Sequence, residues 1–459
     1  MSSKKYSFRA VMATVCGLFL GLLPVASADS SVLLPETLFP DLNSLLADAS
    51  SQSPRILAQR IYDQELEGYE ISAKSARLPQ LSLGVSQTWG NEKRTGAMGA
   101  TRADKLYYGF NVSQAIYHWG TIKNGVRVAE IRRLINMGRA QEAYEALAAE
   151  VRAQYLQLIV KEFVVTLNQY RLELASEKLI QGRERLTRQA IAPTAIFPLE
   201  IAQSRAELTT VQVESELERG KRALARLVGR DTLGISEMPE TIPLLPENAG
   251  VEMVDTFMAQ FRAGELNETR EILALKNELK VQRINLHSVR MGLRPRLNLV
   301  AGITQDEQNL NTIPVYRYET QYVFGGLSMN WNIFDGFRTK GAVRSALALS
   351  RSAQHALDEA EESQWEMINN QAEMIRLSAR SLMIEERLYA SAEGALEFHR
   401  EQYGRGEVAE STISTAVDDR NVALLNAMNA RYSHLMAIVQ FLAYIDADPA
   451  VDLFNISSR

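Results

Sequence analysis

Two periodicities alternate along this chain, and the alternation occurs twice. Leu81, Leu83 and Val85 stand against Ser82, Gly84 and Ser86, a period of two that predicts a strand over about 81–91. Tyr108, Phe110 and Val112 predict a second over about 106–118, and the polar, glycine-bearing stretch 91–104 reads as the hairpin loop between them. The period then lengthens. Tyr144, Val151, Leu158, Val165, Leu172, Leu179 and Leu186 recur every seven residues, and 121–189 contains no proline. A helix of that length reaches roughly 100 Å at 1.5 Å per residue. A strict seven-residue repeat imposes a left-handed supercoil on neighbouring helices. The second seam is mixed, because Tyr155 is followed by Glu162 and Gln169. That excludes a simple two-stranded coiled coil and predicts a larger helical cylinder with one wet face.

The second round predicts strands over about 297–307 and 320–334, with a loop at 308–319. Its heptad is smaller: Ala346, Ala353, Ala360, Met367, Met374, Ser381, Leu388 and Ala395. Each long helix is predicted to turn and return. One turn lies near Ala192-Pro193-Thr194, with a return to about Gly229. The other lies at Tyr403-Gly404-Arg405-Gly406, with a return to about Tyr444.

The residues leading into each round also match. Ser53-Pro54-Arg55-Ile56-Leu57-Ala58 precedes Leu78-Pro79-Gln80-Leu81-Ser82-Leu83. About 216 residues later, Thr269-Arg270-Glu271-Ile272-Leu273-Ala274 precedes Arg294-Pro295-Arg296-Leu297-Asn298-Leu299. Ser53-Pro54 reads as an N-cap followed by proline at the first helical position. The chain is therefore a duplicated helix–strand–strand–helix–helix unit. Its divisions are 29–230 (first repeat), 231–264 (connector), 265–446 (second repeat) and 447–459 (tail). Stretch 29–53 lacks a clear period and holds Pro35 and Pro40, so it is expected to be an extended arm. Pro239, Pro243 and Pro246 mark the connector as non-helical.

Composition places these elements. Lys4, Lys5 and Arg9 precede an apolar run, Val11 to Leu23, that is too short to span a bilayer. Ala26-Ser27-Ala28 is a small-residue cleavage site, so 1–28 reads as a signal peptide. Its removal takes three positive charges and the single cysteine, Cys16, and moves the net charge from -5 to -8. An exported, mildly acidic chain with no remaining cysteine forms no disulfide or Cys-based metal site. It also lacks the basic footprint of a nucleic-acid binder. Beyond residue 28 no run of 18 apolar residues occurs, so a membrane-embedded form must be a β-barrel. Four strands cannot close a barrel, and other chains must complete the sheet. Aromatic residues at the strands, Trp89, Tyr107, Tyr108, Trp119, Tyr322, Phe324 and Trp331, are candidates for the interfacial girdles of such a barrel. A soluble β-sandwich with an aromatic core is the competing reading.

No phosphate-binding glycine loop and no HExxH sequence occurs, and His118, His287, His355, His399 and His434 lack ligand spacing. No cofactor, metal site or catalytic group is expected, and the chain does not read as an enzyme.

Taken together, these segments resemble the TolC-like outer-membrane efflux protein family, from Ser53 to about Asp446. Leu78 to Leu83 is similar to the motif that opens the family's strands. Ser113-Gln114-Ala115-Ile116-Tyr117-His118-Trp119-Gly120 and Asn330-Trp331-Asn332-Ile333-Phe334-Asp335-Gly336 resemble the motif that closes them. Tyr403 to Gly406, with Asp418-Asp419-Arg420, resembles the second turn and return helix. The resemblance implies an α+β membrane protein and a homotrimer. Four strands per chain would build a 12-stranded barrel in outer-membrane lipid, continued by an α-helical periplasmic tunnel. It implies an exit channel for small molecules served by a periplasmic adaptor (membrane fusion) protein and an inner-membrane RND, ABC or MFS transporter. A duct for type I protein secretion is the alternative, and a pore-free periplasmic scaffold a third.

Family members often close the periplasmic entrance with a carboxylate hydrogen-bonded to a tyrosine. Glu200 and Tyr403 stand near those positions. An arginine usually follows the second turn; Val408 stands there, with Arg405 close by. Where some members carry two rings of aspartate, this chain has Thr412 and Thr415. The resemblance therefore implies an entrance built from Glu200, Tyr403, Arg405, Thr412 and Thr415, without the cation-binding acids.

Overall fold

The computed structural model describes residues 33–93, 101–234, 238–246, 248–263, 268–310 and 316–452. The signal-peptide expectation for 1–28 lies outside them. The first repeat contains α3 (Pro54–Ser75), β1 (Gln80–Glu92), β2 (Thr101–Tyr117), α4 (Thr121–Thr187) and α5 (Phe197–Val228). The second contains α7 (Arg270–Arg290), β3 (Arg296–Leu310), β4 (Tyr316–Asn330), α8 (Arg338–Gly404) and α9 (Glu410–Tyr444). Both long helices have 67 residues. The duplication is thus conserved in length as well as in order.

The four strands form one antiparallel meander, β1-β2-β3-β4. The two repeats join within it, because β2 pairs with β3. They join again where α4 packs against α7 and α9. Strand enters helix through the same device in each repeat. Trp119 and Gly120 have φ of 55° and 78°, and Gly336 and Phe337 have 65° and 67°. Two consecutive left-handed residues reverse the chain sharply enough to set a helix under its strand. An L side chain resists that conformation, so one glycine sits in each pair. The hairpins are longer than expected, with β2 beginning at Thr101 and β4 at Tyr316, whereas β4 ends at Asn330 rather than near 334.

Three expectations are corrected. The stretch read as an extended arm forms α1 (Pro35–Leu38) and α2 (Pro40–Gln52). Pro35 and Pro40 open these helices, where their missing N–H is no loss. Leu42, Leu45, Leu46 and Ala49 of α2 are completely buried. The connector is also partly helical, as α6 (Val251–Ala263). Third, the α8 seam holds only at its start, where Ala346 is buried and Ala353 and Ala360 are half-buried, and from Met367 onward it is displaced by one residue. Ile368, Ile375, Leu382 and Leu396 are buried at heptad spacing, while Met367, Met374 and Leu388 are exposed. On α4 the expected seam holds: Tyr144, Val151, Leu158, Val165 and Leu179 are buried, and Leu172 and Leu186 are half-buried.

One core unites these parts midway along the long helices. It draws in α1, α2, α4, the base of α5, the connector with α6, the middle of α8 and the end of α9. Arginines fasten this collar. Arg152, fully buried, donates to Glu36 (Nε–Oε2 2.9 Å) and Asp448 (Nη2–Oδ1 3.0 Å), so one side chain binds both α1 and the segment after α9 to α4. Arg270 reaches Glu145 at 2.6 Å and Asp446 at 3.2 Å. Arg431 forks onto Glu386, and Arg230 pairs with Asp48.

Candidate channel wall and entrance

The strand register decides which side chains share a face. On one face lie Leu81, Leu83 and Val85 of β1, Tyr108, Phe110 and Val112 of β2, Leu299 and Ile303 of β3, and Val323, Leu327 and Met329 of β4. The opposite face carries Ser82, Gly84 and Ser86, then Gly109 and Asn111, Gly302 and Thr304, and Gly326 and Ser328. In the half of the sheet nearer the helices, apolar side chains on one face and small polar ones on the other are the pattern of a wall between lipid and water; nearer the hairpin loops the first face turns polar, with Gln305, Glu307, Glu319 and Gln321. No described helix is long and apolar enough to cross a membrane.

This register divides the seven girdle candidates. Trp89 and Tyr108 lie on the apolar face, but Tyr107, Tyr322 and Phe324 lie on the polar one. Counting aromatics could not reveal this, because a shift of one residue moves a side chain across the sheet. Trp119 and Trp331 sit at the helix end of the sheet. Their indole N–H groups donate to Pro295 and Leu293 carbonyls at 2.8 and 2.9 Å, and the Arg294 guanidinium lies 4.4 Å from the Trp119 ring. Tyr117 packs edge-on to Trp119 at 4.9 Å. The sequence held this cluster, since Tyr117, Phe334 and Phe337 stand beside the two tryptophans, but its role depends on the α7–β3 loop carbonyls.

At the far end of the helices the two hairpin tips stand apart from the core. A 3-10 turn at Pro193–Ala195 leads into α5. There Glu200 accepts from Arg183 Nη2 at 3.1 Å, both side chains being exposed. Tyr403 ends α8 on the other hairpin, and its carbonyl accepts the Gly406 N–H in the turn. No hydrogen bond joins Glu200 to Tyr403 among the described residues of this chain. Arg405 caps α8 and faces Glu401 at 3.8 Å. Thr412 lies in the first turn of α9, and the Thr415 hydroxyl donates to the Ser411 carbonyl. The tie between hairpins is elsewhere: Arg171 of α4 grips both oxygens of Asp418 on α9, at 2.6 and 3.0 Å. This fork raises the Arg171 pKa, chiefly through its hydrogen bond to Asp418.

The flanks of this half of the molecule are apolar and open. Helices lie side by side in the order α5–α4–α9–α8. The outer α5 exposes Phe197, Ile201, Leu208 and Val211, and the outer α8 exposes Met374, Leu377, Ile384, Leu388 and Phe398. Both sets follow heptad-like spacing. They are uncovered coiled-coil seams on the two edges, just as β1 and β4 are uncovered sheet edges.

The outer membrane efflux protein profile matches residues 45–230 and 264–445, one segment for each repeat. The chain belongs to that family. No curated protein matches the efflux protein's sequence. Its fold is shared with solved outer membrane channels at low identity. CmeC of Campylobacter jejuni has a TM-score of 0.70 at 15% identity, over 91% of this chain and 89% of that one. VceC of Vibrio cholerae gives 0.66 at 16%, over 88% and 96%. The open state of MtrE of Neisseria gonorrhoeae gives 0.63 at 15%, over 88% and 89%. Membership in the family makes the chain an outer membrane efflux protein.

Proposed function

We propose that three copies of this chain close into one 12-stranded barrel continued by a helical tunnel, and that the assembly conducts its cargo passively. The observation that carries this is the pair of open edges. One chain leaves the outer edges of β1 and β4 unpaired at the sheet and leaves apolar seams on α5 and α8 at the helices. A neighbouring copy covers both at once, so that β4 meets the next β1 and α8 meets the next α5. Unpaired strands and seams of this size favour association over exposure to water or lipid.

In this reading the energy comes from an inner-membrane transporter of the RND, ABC or MFS type, joined through a periplasmic adaptor. The chain itself moves no electrons and makes or breaks no bonds. The hairpin tips form the entrance. Arg171–Asp418 holds the two hairpins of one chain together, and Glu200, Tyr403 and Arg405 are placed to contact neighbouring copies. Thr412 and Thr415 supply hydroxyls where a trivalent cation would need carboxylates, which removes the Coulomb attraction while leaving hydrogen bonding.

The test is light-scattering mass of the detergent-extracted protein together with single-channel recording in planar bilayers. A trimer with stepwise conductance supports the reading. A soluble monomer, or a trimer without conductance under conditions that open the tips, overturns it.

A further inference from the structure

The polar face of the sheet carries an aromatic cluster that a water-filled passage does not require. Tyr322 and Phe324 of β4 stack at 5.5 Å and 17°. Tyr107 of β2 reaches the same level, because its phenol lies over Gly109, the cross-strand relay to Thr304 and Tyr322. Two glycines make the room. A Cβ on Gly109 would stand 2.9 Å from the Tyr107 hydroxyl, and a Cβ on Gly302 would stand 2.9 Å from Phe324 Cζ. The rings therefore lie along the wall. Tyr322 stays 61% exposed and Tyr107 39%.

Charge gives the cluster a sign. Asp306 sits directly across from Tyr107 on this face. It accepts from Gln308 Nε2 at 3.0 Å and has no cationic partner among the described residues. Lys105, its nearest cation along β2, is engaged by Glu92 at 3.1 Å. Arg296 lies on the same face at the other end of β3.

We infer that Tyr107, Tyr322, Phe324 and Asp306 form a resting site for planar organic cations on the inner wall of the barrel. Aromatic faces attract a cation through their quadrupole and stack on a flat ring, and a carboxylate beside them adds a Coulomb term. Three symmetric copies would line one level of the passage with nine rings. This rests on the channel reading for the face that meets water, and the experiment separates the two.

Ethidium is titrated against the detergent-extracted full-length protein by fluorescence polarisation, and then used to block single-channel current. Binding and block by ethidium are expected, with much weaker effects from the planar anion anilinonaphthalenesulfonate. Tyr322→Leu with Phe324→Leu keeps apolar, strand-compatible bulk and removes the π-faces; it should weaken binding about tenfold. Asp306→Asn should weaken ethidium binding several-fold and leave the anion unaffected. Wild-type affinity in the leucine variant, or equal affinity for the anion, overturns the site. A wild-type protein that binds ethidium through these residues but carries no current under conditions that open the tips supports the site while sinking the channel reading.

Discussion

The collar and the hairpin tips are built from the same helices on opposite terms. At the collar α4 presents Tyr144, Leu147, Val151, Tyr155 and Ile159 to α1, α2, the connector and α9, all without solvent contact. Arg152 and Asp448 there are fully buried, and Arg152 and Arg431 fork onto carboxylates. At the tips Phe197, Ile201 and Phe398 are 60%, 52% and 58% exposed, and the ion pairs are wet. Stability is concentrated where the helices are encircled, and freedom to move is concentrated where the outer helices α5 and α8 each pack on a single neighbour. In the proposed trimer, a tunnel that opens at one end while staying closed along its side would need this division.

The largest expected effect lies in the collar. Arg152→Ala removes one side chain and leaves Glu36 and Asp448 facing each other without a counter-charge. Breaking a buried pair costs about 3–5 kcal/mol. Denaturant unfolding of the extracted protein should show a loss of that order. Arg152→Met combined with Glu36→Gln and Asp448→Asn should recover part of it, because no uncompensated charge remains. If the single variant loses less than about 1 kcal/mol, the collar is not the anchor.

The collar should also titrate, in two opposed directions. Burial, only partly offset by Arg270, pushes the Glu145 carboxyl up to about 7 from an ordinary 4.5, with Asp446 and Asp448 adding to the rise. The folded protein then binds more protons than the unfolded chain between those values, so this group's contribution to stability falls as pH rises from about 4.5 through about 7. The full effect is about 3 kcal/mol. Glu145→Gln should flatten that part of a melting-temperature profile. His434 acts the other way. Its ring is buried, with Nε2 2.9 Å from the Ala249 carbonyl and Nδ1 2.8 Å from the Ser378 hydroxyl. Burial lowers its pKa. Its contribution is present above the ordinary value of 6.5 and is lost as pH falls through the folded one. His434→Gln should therefore reduce the loss on the acid side only. A profile unchanged by both variants would show that these groups are solvated in the assembled protein.

The sequence made the tips and strands legible and hid the collar, for a physical reason. Periodicity reports which face of an element is apolar, so α4, the hairpin turns and four strands were readable. It does not report pairing. Tyr107 and Tyr108 are adjacent and so face opposite ways in any strand, but only the pairing to β1 and β3 shows that Tyr107 meets Ser86 and Asp306 while Tyr108 meets Val85 and Gln305. Arg152 is separated from Glu36 by 116 residues and from Asp448 by 296. No local pattern marks it as different from a surface arginine. Leu42, Leu45, Leu46 and Ala49 make a single two-turn repeat, too short to stand out as a period, and Pro35 and Pro40 before it open helices rather than interrupt them. On α8 the seam shifts by one residue after Ala360, because large apolar residues there run in two adjacent heptads: Ile368, Ile375 and Leu382 are buried, and Met367, Met374 and Leu388 lie on the flank.

At the tips the expected effects on stability are small and those on conduction larger. The Arg171–Asp418 side chains are 39% and 36% exposed, and such a pair contributes at most about 1 kcal/mol to folding. Arg171→Ala should therefore leave the unfolding midpoint nearly unchanged. It should still raise the conductance of the isolated channel, because about 0.5 kcal/mol in each of three copies shifts the closed-to-open ratio by roughly tenfold. The smallest effect is expected for Glu200→Ala with Tyr403→Phe. Within one chain Glu200 is held by Arg183 of its own hairpin, so its loss frees nothing between hairpins. Any rise in conductance from this double variant must come from contacts with a neighbouring copy. A rise equal to that of Arg171→Ala would place the closure at the copy-to-copy seam. No change, with Arg171→Ala still active, would place it between α4 and α9 of each chain, where the fork between Arg171 and Asp418 spans the two hairpins.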